Sequence, residues 1–207
     1  MSAARPSPPP PDPSAIDHFV YLNVGWDDYE KLLAMRGEKS APRITYVHGV
    51  VELMSPSSRH ELDKKRFARL LEAWSEVAGV QLEGYGSWTL QSKRLKVAAE
   101  ADECYTVGRL AVDDRDRPDI AIEVVWTSGG VDKLEVYRKL GVREVWFYER
   151  GSLRFFALRG AKGRERYVVV PQSEFVPDLP IDLLLACMRE PSQTAALRAL
   201  KVGLRTG

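Results

Sequence analysis

Residues 117–146 read RPDIAIEVVWTSGGVDKLEVYRKLGVREVW, and this stretch decides the fold. The aliphatic run from Ile120 to Val125 predicts a strand covered on both faces, because such strands are apolar throughout. Past a short loop with two glycines, apolar residues at helical spacing from Val131 to Leu140 predict a helix that ends at Gly141. A further strand is predicted from Glu144 to Tyr148. The stretch therefore encodes a strand, a helix and a strand.

The flanking segments predict an α+β (mixed α/β) fold. Apolar residues three and four positions apart indicate a long amphipathic helix from His60 to Ala78. Period-two and β-prone runs indicate the strands. The remaining predicted elements are a helix at 26–35, a hairpin at 44–54 that turns near His48 and Gly49, strands at 80–85, 87–90, 102–107, 153–157 and 167–170, and a helix at 181–188.

Length and composition favour one domain. The chain has 207 residues, of which 44% are hydrophobic, which is enough to bury one sizeable core. We predict a disordered proline-rich tail at residues 1–15, a single domain at 16–190, and a loosely attached tail or short helix at 191–207. No apolar run approaches the roughly 20 residues that cross a bilayer, and two distant cysteines give no disulfide framework. We therefore expect a cytoplasmic protein with no membrane partner.

The overall charge neither supports nor excludes binding to nucleic acid. The 30 Lys and Arg residues nearly cancel the 29 Asp and Glu residues, so attraction to DNA would need a local patch. Two clusters of basic residues could form such a patch, although each could equally be an ordinary solvated surface. The candidates for phosphate contact are Lys64, Lys65, Arg66 and Arg69 on the long helix, and Lys93, Arg94 and Lys96 in the loop before Asp102.

Glu123 is the most informative single residue. It is a carboxylate inside an apolar strand, which is costly unless the charge is paired or bound to a metal. An ion pair with a neighbouring cation explains it as well as a functional site does. Asp102 stands at the start of another predicted strand, where an acid can face a cleft. Lys133 lies at the edge of the buried helix face and can reach toward Glu123, although a surface lysine with a buried stem is the alternative.

Four motifs in order resemble the Uma-two family of restriction-endonuclease-like proteins over about residues 21–188. These motifs are Gly49–Glu61, Glu100–Tyr105, Arg117–Val124, and the helix with Lys133 and Tyr137 that runs into Gly141–Trp146. The family resembles a branch of the PD-(D/E)XK nuclease superfamily, whose core runs helix, three strands, helix, strand. The resemblance implies a central mixed sheet flanked by helices, with an N-terminal helix and hairpin as an extension.

The resemblance also implies a catalytic centre and a substrate. Asp102 and Glu123 would hold Mg²⁺ or Mn²⁺, and Lys133 would orient a water or stabilise negative charge while a DNA phosphodiester is cut. Glu61 and Asp119 are additional candidates. Helical geometry places Glu61 off the apolar face and His60 nearer to it, as a packing or hydrogen-bonding residue, and Asp119 could be only the polar start of a strand. A homodimer would allow both strands to be cut.

Two positions depart from the superfamily pattern. Ala101 replaces the proline before the first acid, and Val125 replaces the lysine two positions after the glutamate. The resemblance assigns the role of this missing lysine to Lys133. These departures keep two alternatives open: a nuclease-fold protein that no longer cuts and serves as a nucleic-acid-binding or regulatory module, and a hydrolase of another phosphoester.

Overall fold

The computed structural model describes residues 16–113, 116–127 and 129–206. Its strands are β1 (His18–Asn23), β2 (Arg43–Val47), β3 (Val50–Ser55), β4 (Leu82–Gly84), β5 (Thr89–Ser92), β6 (Val97–Glu100), β7 (Glu103–Val107), β8 (Ile120–Val125), β9 (Glu144–Glu149), β10 (Ser152–Arg159) and β11 (Arg166–Val170). Its helices are α1 (Trp26–Arg36), α2 (Ser58–Ala78), α3 (Lys133–Leu140), α4 (Ile181–Met188) and α5 (Gln193–Thr206).

The larger sheet is mixed and has β8 at its centre. Its strand order is β11-β10-β9-β8-β7-β4, in which β8 and β9 are parallel and the other neighbours are antiparallel. The parallel pair is connected through α3, as parallel strands require a crossover. In its register Glu123 lies opposite Phe147 and Val125 opposite Glu149.

Helices cover both faces of this sheet. Ile120, Ile122 and Val124 pack toward α2, α4 and α5, whereas Ala121 of the same strand packs toward α3. Successive strand residues point to opposite faces, so a strand covered on both sides must be apolar at every position. Glu123 is the one charged residue within this run, and it lies on the α3 side of β8, together with Ala121.

A second, five-stranded sheet forms the N-terminal part of the fold. Its order is β1-β3-β2-β6-β5, with antiparallel pairing throughout. His48 and Gly49 turn the β2–β3 hairpin with φ of 52° and 80°, the positive values that a tight two-residue turn needs. The chain leaves this sheet at Glu100 and enters the larger one at Glu103, so Asp102 lies at the junction of the two sheets.

The predicted α+β architecture is confirmed. The elements α2, β4, β7, β8, α3 and β9 follow one another as helix, three strands, helix and strand, with the hairpin of β5 and β6 inserted between β4 and β7. The predicted hairpin at 44–54 and the helices at 26–35, 60–78 and 181–188 are present within two residues at each end. No helix in the described ranges has the length and apolar character needed to span a bilayer.

Two parts of the structure differ from the expectations, and one expectation stays a prediction. Strands β1 and β6 were not predicted, and both belong to the second sheet. The C-terminal segment, expected to be loosely attached, forms the 14-residue helix α5, whose Ala196 and Leu200 are fully buried against α2 and α4. The proline-rich stretch at 1–15 lies outside the described residues.

Candidate active site

Glu123 lines a pocket of about 290 Å³ between the two sheets. Its carboxylate is 4% exposed, and its Oε1 accepts a hydrogen bond from the Tyr137 hydroxyl of α3. Burial, together with the negative charge of Glu123, raises the pKa of Tyr137 well above its ordinary value, so that hydroxyl remains a donor. The other acidic residues that line the pocket are Asp17, Glu52, Asp132 and Glu149.

Lys133 meets Glu123 in this pocket. It is the first residue of α3, whose N-cap Asp132 accepts a hydrogen bond from the Glu135 amide. The Lys133 Nζ lies 3.5 Å from Glu123 Oε1 and donates to Thr45 Oγ1 at 3.0 Å. The helix therefore brings a lysine to the glutamate from a position outside the strand.

Asp102 is bonded to the backbone on both sides of Glu123. Its Oδ2 accepts a hydrogen bond from the Val124 amide at 2.6 Å, and its own amide donates to the Ile122 carbonyl at 3.2 Å. The side chain is fully buried. Asp102 and Glu123 are thus fixed next to each other at the same level of the larger sheet, although Asp102 does not line the pocket itself.

The side chains of Arg43 and His60 enclose Asp102. The Arg43 guanidinium forms an ion pair with Oδ1, and His60 Nε2 lies 3.0 Å from Oδ2. Both residues are buried, at 2% and 0% exposure, and the Arg43 guanidinium neutralises a carboxylate that water does not reach. His60 is a buried hydrogen-bonding residue, as its position near the apolar face of α2 predicted.

The His60 ring connects Asp102 to a third acid. Its Nδ1 lies 3.2 Å from Asp17 Oδ2, while Asp17 Oδ1 accepts a hydrogen bond from the Ser57 amide at 2.8 Å. Burial alone would raise the pKa of Asp17, but the bonds from His60 and Ser57 outweigh it and hold that pKa below its ordinary value. Asp17 therefore orients the imidazole that contacts Asp102.

A row of three side chains across the N-terminal sheet holds the start of α3. Tyr21, Glu52 and Thr45 are paired neighbours on β1, β3 and β2. The Gly130 amide donates to the Tyr21 hydroxyl at 2.7 Å and to Glu52 Oε2 at 3.1 Å, and Thr45 accepts from Lys133. We call these three residues the anchoring row. It fixes both the loop before α3 and the lysine that α3 presents.

The two additional acids lie apart from Glu123. Glu61 pairs with Arg43 at 2.8 Å and with Lys64 at 3.0 Å. Burial would raise the pKa of Glu61, but these two cations, Lys64 foremost, hold it below its ordinary value. Asp119 accepts from the Val107 amide at 3.0 Å and from Arg109 at 3.3 Å, before the opposite end of β8. Its observed contacts are those of a strand start.

The basic residues predicted to contact DNA do not line the pocket. Lys64 pairs with Glu61, Lys93 pairs with Glu30 at 3.0 Å, and Arg69 donates to Gln193 at 3.0 Å. Arg66 is buried and donates to the Met188 and Glu190 carbonyls. The other three, Lys65, Arg94 and Lys96, are exposed.

Sequence reasoning missed Arg43 and Asp17, whereas for Glu52 it allowed either an approach to the site or a pair across strands. Arg43 opens a strand and Asp17 precedes one, where charged residues are common and give no signal. Glu52 lies between apolar neighbours in β3, the same kind of signal that singled out Glu123.

The donor chemistry of this site fits a divalent cation. Asp102 and Glu123 supply hard carboxylate oxygens, and four further acids line the wall of the pocket. In the described residues, however, no three acidic, histidine or cysteine side chains are arranged as a metal cluster, and Arg43 holds Asp102 instead. A metal at Asp102 therefore requires Arg43 to give way, and Glu61 already provides that guanidinium with a second partner.

Comparisons with known proteins agree with this architecture. A solved structure from Anabaena variabilis ATCC 29413, described as a "putative nuclease belonging to DUF820", matches with a TM-score of 0.50 and 13% identity, over 86% of this chain and 99% of that one. No curated protein matches the chain. The family model Uma2, described as "Putative restriction endonuclease", matches residues 26–187. The chain belongs to the Uma2 family.

Proposed function

We propose that the chain is a metal-dependent endonuclease that hydrolyses phosphodiester bonds of DNA. The observation that carries this proposal is the meeting of Glu123 and Lys133 in one pocket, with Asp102 bonded to the adjacent strand backbone. Family membership supports a nuclease, and the geometry offers this family's reaction two carboxylates and a cation. Both cysteines are buried and free, which suits the cytoplasm.

Each of the three residues has a distinct task in this proposal. Asp102 and Glu123 would hold Mg²⁺ or Mn²⁺, which when bound supplies charge stabilisation and a more acidic water. Lys133 places its positive charge beside Glu123, where it would orient a water or stabilise charge on the phosphate. Tyr137 donates to Glu123 Oε1 and so fixes the rotamer of that carboxylate.

A non-catalytic role is the second candidate, and one observation favours it. Arg43 forms an ion pair with Asp102 and His60 contacts it, without any metal, and Val125 stands where the superfamily places its lysine. A protein that kept the fold and lost the reaction would have such a neutralised carboxylate. It would still bind nucleic acid as a regulatory module.

Incubation of the wild type with supercoiled plasmid and Mg²⁺ or Mn²⁺ distinguishes the two candidates. The endonuclease proposal expects nicked and then linear DNA, with no product when EDTA is present. Intact plasmid with either metal, from protein that melts cooperatively and binds DNA, supports the non-catalytic role instead.

A further inference from the structure

A second pocket, rich in arginine, adjoins the candidate active site. It has a volume of about 450 Å³ and is formed by the first turns of α2, the ends of β8 and β9, and the segment after α4. Its charged and aromatic lining residues include Arg59, Asp63, Arg66, Trp126, Arg150 and Arg189. We call it the arginine pocket.

The arginine pocket carries an excess of positive charge. Four arginines line it, against the two carboxylates of Asp63 and Glu190. Arg59, Arg150 and Arg189 are exposed, and in the described part of the chain none of the three forms a salt bridge, although Arg59 interacts electrostatically with Asp63 on the same helix. Exposed guanidinium groups without a carboxylate partner can bind an anion without first breaking a salt bridge.

Buried contacts hold the walls of the arginine pocket in place. Arg66, which is 7% exposed, donates to the carbonyls of Met188 and Glu190 at 2.8 and 2.7 Å. The backbone on both sides of Arg189 is therefore tied to α2. On the opposite wall the Trp126 indole donates to Asp63 at 3.1 Å, and the Arg59 guanidinium lies 5.7 Å from the centre of the Trp126 ring.

The arginine pocket begins where the candidate active site ends. Val125 lines both pockets. The last pair between β8 and β9 is Val125 opposite Glu149. Trp126 directly follows Val125, and Arg150 directly follows Glu149. Trp126 lies three positions after Glu123, which is roughly 10 Å along an extended chain. A DNA strand carries a phosphate about every 3.4 Å of helix axis, so neighbouring phosphates fall within this span.

We propose that the arginine pocket binds backbone phosphates of the DNA strand next to the bond that is cut. This inference rests on the proposed function, and it gives the near-neutral chain the local positive surface that DNA binding requires. Arg59, Arg150 and Arg189 contact the phosphates, whereas Arg66 is a positioning residue. Phosphate contacts of this kind fix where the strand lies and carry no sequence information.

Binding of a fluorescent DNA duplex, measured by anisotropy with Ca²⁺ in place of Mg²⁺, tests this assignment at several salt concentrations. Arg150→Ala and Arg189→Ala each raise Kd by roughly 5-fold. Each also makes the negative slope of log K against log salt shallower by about 1. Arg164→Ala is the matched control, because Arg164 is exposed in the turn after the far end of β10, the strand that follows Arg150. It leaves Kd and slope unchanged. Tm confirms that each variant is folded.

Separate results overturn the subsite and the nuclease. Arginine variants that bind and cut DNA like the wild type contradict the subsite and leave the nuclease standing. If the wild type binds DNA through these arginines but does not cut it, the subsite stands and the nuclease proposal is contradicted. The subsite is also overturned if the wild type fails to bind DNA. It is overturned in favour of a small-anion pocket if inorganic phosphate competes with DNA when both supply the same concentration of phosphate.

Discussion

The Lys133 Nζ lies 3.5 Å from Glu123 Oε1 and donates to Thr45 Oγ1, so one ammonium group joins the larger sheet to the N-terminal sheet. The sequence resemblance to PD-(D/E)XK nucleases would place a lysine on the strand, at the position of Val125. Here the first turn of α3 supplies it, and the geometry of the loop before α3 decides where its charge lies.

Substitution of Lys133 separates its charge from its packing. Lys133→Met keeps the apolar stem and removes the cation, and we expect the DNA cleavage rate to fall by about 100-fold or more while Tm changes little. Lys133→Arg keeps the charge and retains part of the rate. Thr45→Val removes only the hydrogen bond to Nζ, and we expect a smaller decrease in kcat. Equal rates for Lys133→Met and the wild type would remove Lys133 from the site.

The anchoring row predicts a strict requirement for glycine at position 129. A Cβ added there would lie 2.5 Å from Glu52 Oε2 and 3.1 Å from the Phe19 ring, so Gly129→Ala must displace either the loop before α3 or the Glu52 carboxylate that holds this loop. We expect a large loss of cleavage with a modest decrease in Tm. Gly25→Ala is the control, since no atom lies within 4 Å of its added Cβ. An active Gly129→Ala protein would show that the loop position does not matter to the reaction.

Removal of the Asp102 counter-ion tests whether a metal can replace it. Arg43→Met leaves a buried carboxylate without its main partner, which costs about 3–5 kcal/mol of unfolding free energy without metal. Ligand linkage then predicts that Mg²⁺ raises the Tm of Arg43→Met more than that of the wild type. Arg164→Met controls for general effects of the substitution. The same Mg²⁺ response in all three proteins would argue against metal binding at Asp102.

The buried contacts of α5 predict that the C-terminal segment contributes to stability. Leu200 is fully buried in the core shared by α2 and α4, so Leu200→Ala should lower the unfolding free energy by about 2–5 kcal/mol. Val202→Ala, on the exposed side of the same helix, should have little effect. Chemical denaturation measures both. Matching midpoints for the two variants would mean that α5 is dispensable.

The sequence predicted those parts of the fold that have a local signature. Glu123 was identifiable because a charge inside an aliphatic strand needs a partner, and α3 was identifiable from its apolar spacing and from Gly141 at its end. Strand β6, which reads VAAE, has alanines with little β-preference, so its pairing depends on neighbours more than on its own sequence.

The remaining features depend on contacts between distant segments. Asp17 and His60 lie 43 positions apart and Arg66 and Met188 lie 122 apart, so no periodicity relates them. The arginine pocket takes its four arginines from three separate segments, two of them from α2, so the pocket exists only in the folded chain. The helix α5 was expected, but its close packing could not be, because the faces of α2 and α4 that receive it are assembled only in the fold.

The single-turnover rate of plasmid nicking by Glu123→Gln, with saturating protein and Mg²⁺, tests the central claim most directly. The substitution preserves shape and removes the charge that would bind the metal, and Asp182→Asn, an exposed carboxylate on α4, is the control. The account predicts a loss of about 100-fold or more in Glu123→Gln and a wild-type rate in Asp182→Asn. Nicking by Glu123→Gln at the wild-type rate would contradict it, because the reaction would then not depend on this carboxylate.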